Sequence, residues 1–97
     1  MEIEHQAEGA KLTIAVSGRV DTVTAPELEE ALEFGDATSV VIDIGRVPYM
    51  SSAGLRLLLV AHKEMAGKGG ELQIANAQPP VKEVLDITGF SDILNLV

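Results

Sequence analysis

The run Val40-Val41-Ile42-Asp43-Ile44 constrains the fold more than any other stretch of this chain. It is continuous, β-branched and bounded by Ser39 and Gly45, which predicts a central parallel strand covered on both sides. The flanking segments carry helical signals instead. Upstream, Thr24-Ala25-Pro26-Glu27 has the capping-box form and opens a helix through about Phe34, with Leu28, Ala31 and Leu32 as its apolar stripe and Gly35 as its stop. Downstream, Ser51 or Ser52 caps a long helix through about Ala66, rich in Leu, Ala and Met and ended by Gly67, Gly69 and Gly70.

The rest of the chain completes an alternation of strand and helix. Residues 2 to 8, a turn at Glu8-Gly9-Ala10, and then Leu12, Ile14 and Val16 read as a β-hairpin whose first strand lies at an edge. Leu72 and Ile74 mark a short strand, Pro79-Pro80 open a helix that stops at Gly89, and Ile93 to Val97 read as a strand or a turn of helix. The order β-β-α-β-α-β-α predicts an α/β fold with a mostly parallel mixed sheet, an N-terminal edge hairpin and packed helices. Residues 1–97 form one domain at this length. Sites in such sheets gather beyond the carboxyl ends of the strands, so the segments Gly18 to Thr24, Gly45 to Ser52 and Asn76 to Pro79 are expected to share one edge.

Composition removes several function classes. Seven Lys and Arg against fifteen Asp and Glu give a net charge of −8, the wrong sign for a nucleic-acid or anionic-membrane partner. Phe34, Tyr49 and Phe90 are the only aromatics, too few for a base-stacking platform. Without cysteine there is no disulfide, thiolate zinc site or cysteine nucleophile. The acidic, alternating N-terminus is no signal peptide, and Leu55 to Ala61, interrupted by Arg56, falls short of the ~20 residues of a membrane span. A cytoplasmic domain with no membrane insertion is expected.

Catalytic constellations are also missing. His5 lies on the edge strand, and His62 has no His or carboxylate four residues away to share a metal. Asp21 and Asp43 both fall near the expected edge, where they would suit an acid/base pair or magnesium, but no lysine completes a phosphoacceptor pocket around Asp43. A small enzyme using the N-terminus of the long helix as an oxyanion site lacks a base near Ser52, and a serine without a base is inert. No catalytic residue, metal or cofactor is expected, and the chain is not expected to be an enzyme.

The segment Val47-Pro48-Tyr49-Met50-Ser51-Ser52-Ala53-Gly54-Leu55-Arg56 differs in kind, since two hydroxyls stand where one cap suffices and Ala53 and Gly54 keep the approach to the backbone open. Leu57 and Val60 lie off the stripe of Leu55, Leu58, Leu59 and Met65, as for a second packing layer or a landing surface. Together with Val16-Ser17-Gly18-Arg19-Val20-Asp21, Thr24-Ala25-Pro26-Glu27-Leu28, Val40 to Ile44 and the late Leu85-Asp86-Ile87-Thr88-Gly89-Phe90, this segment resembles the STAS domain of bacterial anti-sigma factor antagonists. The resemblance spans essentially the whole chain, and its specificity lies in order and spacing.

That resemblance implies a partner switch. The unphosphorylated antagonist binds an anti-sigma factor that is also a serine kinase, and phosphorylation of the antagonist ends the complex; a serine phosphatase is the implied counterpart. The phosphoacceptor falls on Ser52, with Ser51 as the second choice. In the best-known members the acceptor follows an aspartate and precedes Ser or Thr, places held here by Ser51 and Ala53. The partner surface corresponds to Asp21, Thr22, Ser51, Gly54, Leu55 and Arg56. The alternative within the resemblance is a STAS subunit of a transporter or sensory assembly that is not phosphorylated, its two serines serving only as a cap.

Overall fold

A computed structural model describes residues 1–97. The chain forms β1 (Glu2–Glu8), β2 (Lys11–Ser17), α1 (Ala25–Ala31), β3 (Ser39–Arg46), α2 (Ser52–Gly67), β4 (Glu71–Ala75), α3 (Pro79–Ile87), a 3-10 turn (Phe90–Asp92) and β5 (Asn95–Leu96). The tail from Ile93 to Val97, left open between strand and helix, forms the strand β5, with the 3-10 turn just before it and Val97 N–H donating to the Ile74 carbonyl at 2.9 Å. No helix is long and apolar enough to cross a membrane.

The five strands lie in the order β1-β2-β3-β4-β5, with β1 antiparallel to β2 and every later pair parallel. Spatial order repeats chain order, so each right-handed crossover steps the same way and leaves its helix on the same face. The result is two layers, a sheet and a set of helices, with the core between them.

Burial follows that geometry. Leu12, Ile14 and Val16 of β2, Val40, Ile42 and Ile44 of β3, and Leu72 and Ile74 of β4 are buried, while Thr13, Ala15, Val41, Asp43, Gln73 and Ala75 alternate with them on the other face and are half-exposed. The expectation that β3 is covered on both sides is therefore corrected. It is central and parallel, hydrogen-bonded to β2 and β4, but only one of its faces meets helices. Leu28 of α1, Leu55, Leu58, Ala61 and Met65 of α2, and Val81 and Leu85 of α3 complete one continuous core. Each of these side chains but that of Ala61 contributes about 1.5–3 kcal/mol on full burial.

Helix α1 stops at Ala31, short of the expected Phe34. At ~100° per residue, a continued helix would carry Phe34 away from the Leu28 side, whereas unwinding at Leu32 (φ −85°, ψ 61°) lets Phe34 reach the core at 5% exposure. His5 Nε2 lies 2.8 Å from the freed Ala31 carbonyl oxygen at that end.

The three glycines expected to end α2 have three different settings. Gly67 is helical, with open space where a Cβ would be, and Gly69 has φ +75°. A Cβ on Gly70 would stand 2.8 Å from the Thr38 carbonyl oxygen, the acceptor that the N–H of Glu71 uses at 2.9 Å to begin β4. Gly70→Ala is expected to cost about 1–3 kcal/mol through this backbone collision. Gly67→Ala is expected to add about 0.5–1 kcal/mol, because it restricts the unfolded chain and meets nothing. Urea unfolding of both variants reads these opposite shifts as changed midpoints at unchanged slope.

Candidate functional site

The three loops beyond the parallel strand ends are tied to one another by main-chain bonds. Gly18 N–H donates to Arg46 O at 3.0 Å, Val20 N–H to Tyr49 O at 3.0 Å, and Ser51 N–H to Val20 O at 2.8 Å. These bonds carry β2–β3 pairing past the strands into an isolated parallel bridge between Val20 and Met50, both buried. The third loop joins through Gln78, whose Nε2 donates to Gly45 O at 2.9 Å. The shared edge expected of these loops is present.

Asp21 organises the first loop. Its Oδ1 accepts from Val23 N–H at 2.9 Å and Thr24 N–H at 3.0 Å, and its Oδ2 lies 3.3 Å from Arg19 Nε. The Arg19 guanidinium in turn lies over the Tyr49 ring, 4.2 Å from its centroid. The Thr24 N–H bond is the main reason that the Asp21 carboxyl is held below its ordinary value of 3.8, with partial burial opposing it and the Val23, Thr24 hydroxyl and Arg19 bonds adding to it. Thr24, expected to cap α1 with its hydroxyl, instead accepts from Asp21 N–H at 2.9 Å and donates to Arg19 O at 2.8 Å. Its side chain makes no cap bond, so the capping box is not formed.

The two serines at the start of α2 are separated by geometry. Ser51 is the extended residue preceding the helix, and its Oγ is shut away from solvent with no hydrogen-bond partner. Ser52 is the first helical residue and is exposed. Neither side chain makes the cap bond expected of one of them.

Gly54 has a different role from the open approach expected of it. It is buried, and a Cβ there would stand 2.7 Å from both Val20 Cγ1 and Met50 Cγ, so its size lets α2 sit on the bridge. Leu55 is also buried, at 4% exposure. Of the residues expected at a partner surface, Thr22 and Arg56 are exposed, Arg56 lining the same depressions as Ser52, while Asp21 and Ser51 are half-buried and Gly54 and Leu55 lie inside. Two shallow depressions flank this start of α2. One is lined by Ala25, Glu29, Ser52, Ala53, Arg56 and Leu57, the other by Ser52, Leu55, Arg56, Leu59, Thr88 and Phe90. Leu57 is half-buried between α1 and α2, so α1 supplies the second packing layer, while Val60 remains 55% exposed.

Val23 at this edge was not singled out in the sequence, and Arg19 and Tyr49 only as parts of motifs. An apolar residue inside a polar loop was the available signal for Val23, which is 82% exposed. Asp43 is not paired with Asp21. It accepts Gly45 N–H at 2.9 Å and lines a depression on the uncovered sheet face with Glu2, Glu4 and Arg46. His62 lies further along α2, among Ala66, Gly70, Glu71, Leu72 and Asn95.

Asp21 makes the loop pH-sensitive with a definite sign. Its carboxyl lies below 3.8 in the folded chain, so its contribution to stability is full above that value and disappears as pH falls through the lower folded value. Asp21→Ala is expected to melt below wild type at neutral pH, with the gap narrowing in acid, as thermal unfolding from about pH 7 to pH 2 would show. A gap that is constant with pH would contradict this origin.

Comparison with known proteins adds sequence and structural relatives. The family model described as "STAS domain" matches residues 2–97. The BtrV protein of Bordetella bronchiseptica, described as a candidate anti-sigma factor antagonist, is 38% identical over 86 residues, covering 84% of this chain and 73% of that protein. An anti-sigma-B factor antagonist of Listeria monocytogenes is 33% identical over 88 residues, covering 88% of this chain and 77% of that protein. The crystal structure of an anti-sigma factor antagonist from Mycobacterium paratuberculosis superposes with a TM-score of 0.85 at 26% identity, covering 98% of this chain and 83% of that one. The family match over nearly the whole chain and the two sequence relatives show that the chain belongs to the STAS domain family.

Proposed function

We propose that this chain is an anti-sigma factor antagonist working by partner switching. Unphosphorylated, it binds an anti-sigma factor with serine kinase activity; phosphorylated on Ser52, it is released, and a serine phosphatase restores it. The observation that carries this reading is the contrast between two adjacent hydroxyls: Ser52 is exposed at the first position of α2, while Ser51 Oγ is closed off from solvent. A kinase needs the former. The names of the relatives support the same class, and a sigma-factor pathway implies action in the cytoplasm. In this role the chain is the substrate of an enzyme and not itself one.

The physics of the switch follows from where the phosphate goes. Phosphorylation adds about −1.5 to −2 charges at a helix N-terminus, where free N–H groups and the macrodipole favour an anion, so the fold has no reason to yield. The effect falls on binding. The partner would meet Thr22, Val23, Tyr49, Ser52 and Arg56, with half-buried Asp21 and Ser51 at their margin and Gly54 and Leu55 supporting them from within. A dianion in the middle of this patch, on a chain already at −8, repels acidic groups and occupies packed space. A loss of about 2.7 kcal/mol weakens a complex about 100-fold, enough to exchange partners.

Against the reading of an unphosphorylated subunit of a transporter or sensory assembly, in which the serines serve only as a cap, stands the observation that neither side chain makes a cap bond. In calorimetry with the kinase, Ser52→Ala is expected to bind as wild type and Ser52→Asp about 100-fold more weakly. Fragment mass spectrometry after incubation with ATP and the kinase is expected to find one phosphate, on Ser52. Equal affinity of the two variants would overturn the switch, and phosphate on Ser51 would overturn the assignment.

A further inference from the structure

We propose that Arg56 is the residue that holds the phosphate once Ser52 is modified, a proposal that rests on the reading of Ser52 as the acceptor. The two residues are four apart on α2, so they stand one above the other, with Cβ atoms about 5–6 Å apart in such a pair. Both are exposed, and both line each of the two depressions that flank the helix start. They share one patch of surface.

Arg56 is unengaged before modification. The ion pairs of the chain are Arg19–Asp21 and Lys82–Asp86, and Arg56 takes part in neither. The first turn of α2 contains no acidic residue, so the helix itself supplies no counter-charge to its positive end or to the Arg56 guanidinium. A phosphate on Ser52 reverses this unfavourable placement. The anion then precedes the cation by one turn, the orientation that the macrodipole favours, and a guanidinium fork can take two phosphate oxygens at once. The competing anion is Glu29, which faces the same depression from α1 with a single charge. On the other side Leu55, Leu59, Thr88 and Phe90 bring no charge, and Arg19, in the loop after β2, is held by Asp21 and Tyr49.

The consequence for the switch is that one modification changes two features of the surface. It adds a dianion and withdraws the exposed cation that an acidic group of the partner would meet. The phosphorylated face is then altered at both Ser52 and Arg56.

The test uses the full chain with phosphoserine genetically encoded at position 52, and follows the second ionisation of the phosphate by 31P NMR. With Arg56 present, this ionisation is expected below the value of about 6 for a free phosphoserine. Arg56→Gln should raise it by about 0.3 to 0.5 unit, and Arg56→Lys should recover most of the lowering. The helix N-terminus is the same in all three chains, so the difference isolates Arg56. The unphosphorylated Arg56→Gln chain should melt with wild type. An ionisation in Arg56→Gln equal to that of the parent would overturn the proposal. Because the phosphate is encoded and not installed by a kinase, this result is independent of the switch itself, whose failure would appear as equal partner affinity of Ser52→Ala and Ser52→Asp.

Discussion

The parallel bridge between Val20 and Met50 is the contact on which the functional edge depends. Two main-chain bonds close it, from Val20 N–H to Tyr49 O and from Ser51 N–H to Val20 O, and the buried Val20 and Met50 side chains lie beneath. Gly54 sits against both. Fixing Gly54 inward fixes the rotation of α2 about its own axis. At ~100° per residue, Ser52 and Arg56 each lie about 200° from Gly54 in opposite senses, which brings them within about 40° of one another on the outer side. One packing contact thereby orients the exposed hydroxyl and the exposed cation together, with no bond between them.

The sheet explains why such an edge exists. Strands stacked in chain order put all crossovers on one face and all carboxyl ends of β2, β3 and β4 at one end, so the loops that follow are neighbours whatever their sequence. The opposite face has no helix to cover it and carries Thr13, Asp43 and Gln73 among small residues. Antiparallel β1 closes one side, with Glu2, Glu4 and Glu8 distributed along an edge that would otherwise template pairing with another chain.

Most of this architecture was legible in the sequence because it depends on local period. The hairpin, the central parallel strand, the long helix and the convergence of three loops all follow from apolar spacing and connection rules, and the motif from Val47 to Arg56 runs along that edge. What was not legible depends on contacts between distant residues. Nothing in the Val40 to Ile44 run says how many layers exist, although Asp43 marks the open face two residues after Val41. The end of α1 is set by the need to bury Phe34, a requirement of the core and not of the helix. Thr24 is drawn from its cap by Asp21 and Arg19, and the role of Gly54 becomes visible only when Val20 and Met50 are beside it. Ser51 and Ser52 are identical as letters, and only the bridge turns one in and the other out.

The two halves of the edge differ in how their charges are settled. In the loop after β2, the Asp21 carboxylate takes two N–H groups and the Arg19 guanidinium, and that guanidinium covers Tyr49. Such a loop is ordered before any partner arrives, so docking on it costs little conformational entropy. At the start of α2, the Ser51 hydroxyl has no partner, Arg56 has no ion pair, and no carboxylate faces the helix dipole from the first turn. A charge added to the first half would compete with bonds already made, whereas a charge added to the second meets groups that have none. On the switch proposed above, a phosphate on Ser52 would therefore arrive where no existing bond has to be broken, and the surface would change its charge without changing its shape.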